Sequence, residues 1–282
     1  MIEAALSIGG IGLLAAVSLG VAAKKFAVEV DPRELALLDV LPGANCGACG
    51  YPGCAAFAKG VVAGAAQPGL CLPGGAGTID KIAAIMGVEA VTIAPQVAVV
   101  LCQGDGRLAQ PKYRYLGLED CNAAQRIADG PKECPGGCLG LGTCARVCPF
   151  GAIEMTPHGL AVISRELCTG CRKCIAACPR KVIAMTPLAA TVHVLCNSRD
   201  KGAQVRKYCR VGCIACRICM KAAPEAYLIE EDLARVVYEH AGPAAVAVAK
   251  CPTKCIRDFV DGYPEGSRFA PPAVPVGSPD AA

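Results

Sequence analysis

The chain begins with a continuous apolar run, after which apolar and polar positions alternate in short segments. Residues 4–23 carry no charged side chain. At about 1.5 Å per residue, a helix over this run would reach roughly 30 Å, the thickness of a bilayer core. The pattern therefore predicts a single membrane-spanning helix. A buried core helix is the weaker interpretation, because no other segment is comparably apolar.

The charges that flank the run predict its orientation. Glu3 precedes it, and Lys24 and Lys25 follow it. A cleavable secretion signal has the opposite order, with positive charge before the apolar stretch. Because positive residues stay on the cytoplasmic side, we expect a single-pass anchor in the cytoplasmic (inner) membrane, with the bulk of the chain in the cytoplasm.

Two short helices are predicted beyond the anchor. Asp31, Pro32 and Glu34 are typical of the N-cap, first and third positions of a helix. Residues 78–86 place isoleucines on one helical face, and Gly87 is a typical stop for that helix.

Two later segments repeat each other. The first copy opens with an apolar run of strand length, residues 97–101. The repeated points are Val-Leu-Cys at 100–102 and 194–196, and Cys-x3-Cys at 134–138 and 209–213. Residues 263–282 lie beyond the repeat, and their proline content predicts a disordered tail.

Cysteine dominates the composition. The 282 residues include 21 Cys and no Trp, with seven Tyr and five Phe. So few aromatic residues leave little for a conventional core, and modules without one need disulfides or metals. The odd cysteine count, the short C-x2-C spacings and the lack of a cleavable signal favour metal ligation. A net charge of +4, without basic and aromatic residues interleaved, does not indicate nucleic-acid binding.

The clearest motif is Cys168-x2-Cys171-x2-Cys174-x3-Cys178-Pro179. This is the bacterial ferredoxin run, in which the first three thiolates bind one 4Fe–4S cube and the fourth binds the other cube of a pair. Zinc also accepts C-x2-C pairs. Four cysteines at this spacing, followed by proline, favour iron and sulfide.

The partner run upstream is altered, because Leu141 occupies its second ligand position. Cys134, one loop upstream, is the best substitute, and Cys102 or Cys121 could take that place instead. We therefore predict two clusters in this region. One has the ligands Cys148, Cys168, Cys171 and Cys174, and the other has Cys138, Cys144, Cys178 and, as its fourth, Cys134.

The second repeat lacks half of its ligand positions. By the crossed rule of paired cubes, Cys213, Cys216, Cys219 and Cys251 form one complete set. The complementary positions are all alanine, namely Ala223, Ala241, Ala244 and Ala247. Their joint loss predicts one cluster here, and chance in an alanine-rich stretch is the alternative.

A separate module precedes the repeats. Its spacing, Cys46-x2-Cys49-x4-Cys54-x16-Cys71, offers four ligands from one compact segment, and zinc remains possible on spacing alone. The sequence thus predicts at least four 4Fe–4S clusters in an α+β chain with two bacterial ferredoxin-like (βαβ repeat) regions. Its parts are a transmembrane anchor (1–26), a 4Fe–4S module (27–95), a two-cluster ferredoxin-like domain (96–190), a second ferredoxin-like domain with one cluster lost (191–262) and the tail (263–282).

The segment from Val28 to Gly75 closely resembles the B subunit of the Rnf complex, the membrane-bound ferredoxin:NAD⁺ oxidoreductase that couples electron flow to Na⁺ or H⁺ transport. With the anchor, the resemblance covers nearly the whole chain except the tail. It continues through GCLGLG at 137–142, CPFGAI at 148–153, DKGA at 200–203 and CPTKCI at 251–256. The chain departs from the family pattern at the four alanines.

The resemblance implies an electron-relay subunit that works with other membrane and peripheral Rnf-type subunits and with soluble ferredoxin. It would be part of an enzyme, a translocase, without a self-contained catalytic site. The residues agree, because they include no nucleophile–base set and no dinucleotide fingerprint after a predicted strand. The alternative is a free-standing membrane-anchored polyferredoxin that serves another reductase, and a third class is a zinc-stapled interaction module.

Some features have no assigned role. Five cysteines could be small buried residues or further ligands, namely Cys102, Cys121, Cys196, Cys209 and Cys255. Residues 199–221 are rich in Lys and Arg. This charge predicts either a docking surface for an acidic ferredoxin or a solvated face.

Overall fold

A computed structural model describes residues 2–26, 31–90, 94–259, 267 and 269, with side chains from residue 9 onwards. The α-helices are α1 (Ile2–Lys25), α2 (Pro32–Val40), α3 (Cys54–Val62), α4 (Gly75–Met86), α5 (Cys121–Gln125), α6 (Thr143–Arg146), α7 (Lys173–Ala177), α8 (Gly202–Tyr208), α9 (Ile218–Ala222) and α10 (Val246–Lys250). The strands are β1 (Gln96–Val100), β2 (Ile153–Met155), β3 (Ala161–Ile163), β4 (Ile183–Pro187), β5 (Val192–Val194), β6 (Tyr227–Glu230), β7 (Leu233–Val236) and β8 (Ile256–Asp258). Short 3-10 helices cover Pro68–Leu70, Leu72–Gly74, Tyr238–His240 and Gly242–Ala245.

Helix α1 covers the apolar run at the start of the chain. Its large apolar side chains from Ile11 to Val21 are exposed. Within the part of the chain that the structure describes, no helix has the length and apolarity needed to cross a membrane. The span predicted over residues 4–23 begins among residues 1–8, whose side chains lie outside that part.

The next three helices form a small module with its own core. Asp31 caps α2 as predicted, since its Oδ1 accepts a hydrogen bond from the backbone N–H of Arg33 at 2.8 Å. The predicted helix over 78–86 is the larger part of α4, and Gly87 ends it in a left-handed conformation at φ +67°. The core of the module contains Leu37, Phe57 and Ile82, all fully buried.

The two ferredoxin-like regions share one order of elements. In the first, β1 pairs antiparallel with β4, and β2 with β3 forms a hairpin. In the second, β5 pairs with β8, and β6 with β7 forms the hairpin. A short helix precedes and follows each hairpin, α6 and α7 in one region and α9 and α10 in the other. The repeat seen in the sequence is therefore a repeat of structure, in a mixed α/β fold of ferredoxin type.

The insertion of the first region ties the two regions together. The backbone N–H of Gln110 donates to the carbonyl of Tyr208 at 2.7 Å, and the N–H of Arg210 donates to the carbonyl of Leu108 at 3.0 Å. On its other side, the N–H of Glu133 donates to the carbonyl of Gln110 at 3.1 Å. This short ladder brings segments 102–104, 132–134 and 208–210 to one place. The predicted tail, 263–282, lies outside the described residues except for Ser267 and Phe269.

Candidate metal centres

The cysteine side chains face one another in groups. All 21 are free thiols. Four cavities are each lined by four or five of them, with empty volumes of about 310 to 380 Å³ that include space open to solvent. Among the described residues, no group of three or more His, Cys, Asp or Glu side chains is arranged to hold a single metal ion.

The four cysteines of the N-terminal module line one cavity of about 310 Å³; they are Cys46, Cys49, Cys54 and Cys71. Asn45 fixes the loop, because its Oδ1 accepts a hydrogen bond from the backbone N–H of Cys54 at 2.8 Å. Burial raises the pKa of the Cys71 thiol, and the charges of the other three cysteines raise it further. The four predicted ligands are therefore mutual neighbours.

A second predicted set, Cys148, Cys168, Cys171 and Cys174, lies around the start of α7. Burial raises the pKa of Cys174 to about 12, and Cys168, Cys171 and Cys148 add to that shift. Arg172 is left-handed at φ +62°, which turns the chain between two of these cysteines. The N–H of Ala98 in β1 faces the Sγ of Cys168 at 3.4 Å.

The third predicted set is only partly assembled as expected. Cys138, Cys144 and Cys178 line one cavity of about 380 Å³, but the fourth cysteine there is Cys121. Burial raises the pKa of Cys144 to about 12, and the charges of Cys138, Cys121 and Cys178 contribute to this rise. Cys134, expected as the fourth ligand, lines a different cavity.

Cys121 reaches this position through the cap of α5. The backbone N–H of Cys121 donates to the Oγ1 of Thr143 at 2.7 Å, and that hydroxyl donates to the Oδ2 of Asp120 at 2.9 Å. Asp120 also caps α5 by accepting from the N–H groups of Asn122 and Ala123. The cap thus holds the first residue of α5 beside the helix that carries Cys144.

A cavity of about 350 Å³ contains a group that no motif predicted. It is lined by Cys102, Cys134, Cys196 and Cys209. The signal in the sequence was the repeat itself, because Cys102 matches Cys196 and Cys134 matches Cys209 in the two copies. Burial raises the pKa of Cys134 to about 11 and that of Cys196 to about 12.

A cavity of about 320 Å³ in the last region is lined by five cysteines. It is lined by the predicted set Cys213, Cys216, Cys219 and Cys251, together with Cys255. The Sγ atoms of Cys251 and Cys255 lie 3.5 Å apart, and hydrogen bonding with Cys255 lowers the pKa of Cys251. The sequence motifs left Cys255 unassigned.

The alanine positions of that region belong to its packed core. Ala223, Ala244 and Ala247 are at most 2% exposed. The ring of Tyr227 is buried among them, and its hydroxyl donates to the carbonyl of Ala244 at 2.8 Å. Ala241 packs against the same core from the side. Small apolar side chains and one aromatic ring thus pack around the positions where the crossed rule would put a second ligand set.

The basic stretch 199–221 is partly neutralised. Arg199 forms an ion pair with Glu231. Arg206 and Lys207 lie in the last turn of α8, and both are exposed. Lys201, Arg210, Arg217 and Lys221 are exposed as well, so the exposed positive charge is spread along the whole stretch.

Three family models match the chain. One described as a putative Fe-S cluster matches residues 41–73, one described as a 4Fe-4S dicluster domain matches 133–182, and one described as a 4Fe-4S single cluster domain of ferredoxin I matches 210–258. The matched segments lie within the N-terminal module and the two ferredoxin-like regions. The single-cluster description agrees with the one complete cysteine set of the last region.

Curated relatives match over most of their length. The chain is 42% identical over 250 residues to the B subunit of the ion-translocating oxidoreductase complex of Methanosarcina acetivorans, a match that covers 88% of this chain and 95% of the relative. It is 43% identical over 256 residues to the B subunit of the proton-translocating ferredoxin:NAD(+) oxidoreductase complex of Clostridium ljungdahlii (89% and 90%). It is 42% identical over 255 residues to the B subunit of the Na(+)-translocating ferredoxin:NAD(+) oxidoreductase complex of Acetobacterium woodii (90% and 77%).

Proposed function

This chain belongs to the family of B subunits of ion-translocating oxidoreductase complexes, and we propose that it carries electrons between reduced ferredoxin and NAD⁺ within such a complex, coupled to Na⁺ or H⁺ translocation. The main structural support for the proposal is the grouping of its thiols, four or five around each of several cavities. NAD⁺ and flavin chemistry is assigned to other subunits.

The residues fit 4Fe–4S clusters. Such a cluster takes four cysteine thiolates, and when bound it supplies a site that gains and loses one electron. Each thiol must release its proton to ligate iron. Burial favours the neutral thiol, and the free energy of metal binding overcomes this preference. Backbone N–H groups face the sulfurs, for example that of Lys173 at Cys171 and that of Ala215 at Cys213, and such donors stabilise the ligated form.

We assign four ligand sets on this basis, with Cys121 rather than Cys134 completing the third. The sets are Cys46, Cys49, Cys54 and Cys71; Cys148, Cys168, Cys171 and Cys174; Cys121, Cys138, Cys144 and Cys178; and Cys213, Cys216, Cys219 and Cys251. The shared cavity supports the exchange, since Cys121 faces Cys144 and Cys134 does not line that cavity. Cys255 has no ligand role in this assignment.

Electrostatic contacts support a serial arrangement of the first three sets. Burial raises the pKa of Cys171, and Cys46 of the N-terminal module is among the charges that raise it further. The pKa of Cys144 is in turn raised by the charge of Cys174, which belongs to the neighbouring set. Electrons could therefore pass from the N-terminal module through the first ferredoxin-like region.

We further propose that α1 anchors the chain in the cytoplasmic membrane, single-pass, beside the integral subunits of the complex, with the ligand sets on the cytoplasmic side. The exposed apolar side chains from Ile11 to Val21 and the basic end at Lys24 and Lys25 support this. The exposed basic end of α8 is a docking surface for acidic ferredoxin in this proposal. Co-purification with integral membrane subunits distinguishes the complex from a free-standing polyferredoxin.

The decisive experiment is iron and sulfide quantification with electron paramagnetic resonance (EPR) on the anaerobically purified full chain. We expect a brown protein whose broad visible absorption bleaches with dithionite, with at least about 16 iron atoms per chain from four cubes. A colourless protein that contains zinc would overturn the proposed function in favour of a zinc-stapled module.

A further inference from the structure

The cavity between the two ferredoxin-like regions collects thiols from four separate segments. Cys102 follows β1, Cys196 follows β5, Cys134 lies at the end of the insertion, and Cys209 follows α8. The empty volume, about 350 Å³, falls within the 310 to 380 Å³ of the three cavities that hold assigned ligand sets. Four thiols line it, as many as line the cavities of the N-terminal module and of the first region. The number of thiols, rather than the volume, distinguishes these cavities from one of about 370 Å³ that has Cys102 as its one lining cysteine.

The backbone around these thiols has the donor pattern of the assigned ligands. In each case the N–H two residues further along the chain faces the sulfur: Gly104 to Cys102 (3.3 Å), Gly136 to Cys134, Ser198 to Cys196 and Val211 to Cys209. The same spacing occurs at four assigned ligands: Gly140 to Cys138, Lys173 to Cys171, Arg180 to Cys178 and Ala215 to Cys213. Cysteines that only fill a core do not require such donors.

Three glycines bring the backbone close to the sulfurs. A Cβ on Gly104 would lie 3.5 Å from the Sγ of Cys209, and one on Gly137 would lie 3.2 Å from the Sγ of Cys134. A Cβ on Gly212 would lie 3.6 Å from the Sγ of Cys209 and clash with Val205 at 2.3 Å. Larger residues here would crowd the thiols, so these positions keep the wall of the cavity as backbone.

Buried positive charge lies beside the four thiols. Lys132 is 9% exposed, and its Nζ donates to the carbonyl of Gly104 at 2.6 Å. Within the described part of the chain, Lys132 forms no ion pair with a carboxylate. Arg180, 8% exposed, donates to the carbonyl of Cys134. Asp105 also faces Cys209, but it is paired with Arg107.

A buried ammonium group needs negative charge nearby. Four thiolates around a metal cluster would supply that charge, whereas four neutral thiols would not. The placement of Lys132 is thus explained by a charged ligand set.

We propose that Cys102, Cys134, Cys196 and Cys209 bind a further 4Fe–4S cluster, which connects the electron path of one ferredoxin-like region to that of the other. This inference rests on the proposed function and extends it. Each of the four thiols gives up its proton as its sulfur binds iron. With this site, five sets of four account for all 21 cysteines except Cys255.

The position of the site supports its connecting role. On one side, the backbone N–H of Cys138, an assigned ligand of the first region, donates to the Sγ of Cys102 at 3.4 Å. On the other side, the N–H of Cys213, an assigned ligand of the second region, faces the thiol of Cys196. A single peptide unit thus separates this set from each neighbouring set.

The first test counts clusters in the unmodified full chain by native mass spectrometry and by iron and sulfide analysis after anaerobic purification. Five cubes, about 20 iron atoms per chain, are expected. A count of four overturns this inference and leaves the proposed function standing. A chain with no clusters overturns the proposed function itself.

The second test uses Cys196→Ala and Cys209→Ala in the full chain. Each is expected to lose about four iron atoms and four sulfides per chain, while the EPR signals of the other clusters persist. Val205→Ala is the matched control, because Val205 is fully buried, lines the same cavity and carries no thiol; it is expected to keep the full iron content. Unchanged iron in both cysteine variants, or loss of zinc instead of iron, contradicts the inference.

Discussion

The backbone N–H of Cys138 donates a hydrogen bond to the Sγ of Cys102 at 3.4 Å. Cys138 lines the cavity of the first ferredoxin-like region, and Cys102 lines the cavity between the two regions. The peptide group of Cys138 therefore contacts a thiol of the neighbouring set, while its own side chain belongs to the set of the first region. This contact makes set membership testable, because the two sets are adjacent but use different thiols.

Double substitutions should reveal which cysteines share a cluster. Cys134→Ala combined with Cys196→Ala should lose no more iron than either single variant, about four atoms, because both remove the same cube. Cys121→Ala combined with Cys196→Ala should lose about eight. Iron and sulfide analysis of the full chain measures both. Additive loss in the first pair would return Cys134 to the set of Cys138, Cys144 and Cys178.

Lys132 should tune the reduction potential of the connecting cluster. Reduction adds negative charge, which a nearby buried ammonium group stabilises. Lys132→Gln is therefore expected to lower the potential of one cluster in a potentiometric EPR titration, without loss of iron. Lys112→Gln serves as the control, since Lys112 is exposed and its Nζ donates to the carbonyl of Ala128. Equal potentials in the Lys132 variant and the unmodified chain would show that this charge does not act on a cluster.

The alanine core of the last region should resist larger side chains. Ala247 is fully buried in a packed core, so Ala247→Leu should destabilise the chain by about 1–3 kcal/mol. At about 2–4 °C per kcal/mol for a chain of this size, Tm should fall by several degrees. Ala249→Leu on the exposed face of α10 should leave Tm nearly unchanged. A stable Ala247→Leu variant would indicate open space around these alanines and contradict the packed core.

His193 should make stability depend on pH. Its ring is buried, its Nδ1 lies 2.9 Å from the hydroxyl of Tyr238, and burial lowers its pKa to about 4, with Arg165 lowering it and Asp258 raising it. In the unfolded chain the pKa is about 6.5. The neutral ring therefore contributes stability that is present above pH 6.5 and is lost as the pH falls toward 4.

Between pH 7.5 and 5.5 this group should remove about 1 kcal/mol from the free energy of unfolding. His193→Gln should lack that part of the pH dependence in Tm measurements, while His158→Gln, at an exposed position, should retain it. Parallel pH profiles for the unmodified chain and the His193 variant would contradict the prediction.

Local sequence was enough to define the short-range parts of this protein. The caps of α2 and α4, strand β1 and the repeat were predicted because each depends on neighbouring residues or on a fixed spacing. The C-x2-C runs belong to the same class, since a tight loop can turn two thiols toward one point. The cysteine groups of the N-terminal module and of the last region were therefore visible as motifs.

Only the folded chain shows which cysteines the isolated ones lie beside. Cys121 and Cys134 both precede the same run, and spacing alone could not decide which of them joins it. The cap at Asp120 brings Cys121 to Cys144. The ladder at Gln110 brings Cys134 to Cys209. Cys102 and Cys196 lie far apart in sequence and meet because two copies of one fold pack against each other. Contacts between distant segments depend on the packing of whole regions, which no local spacing records.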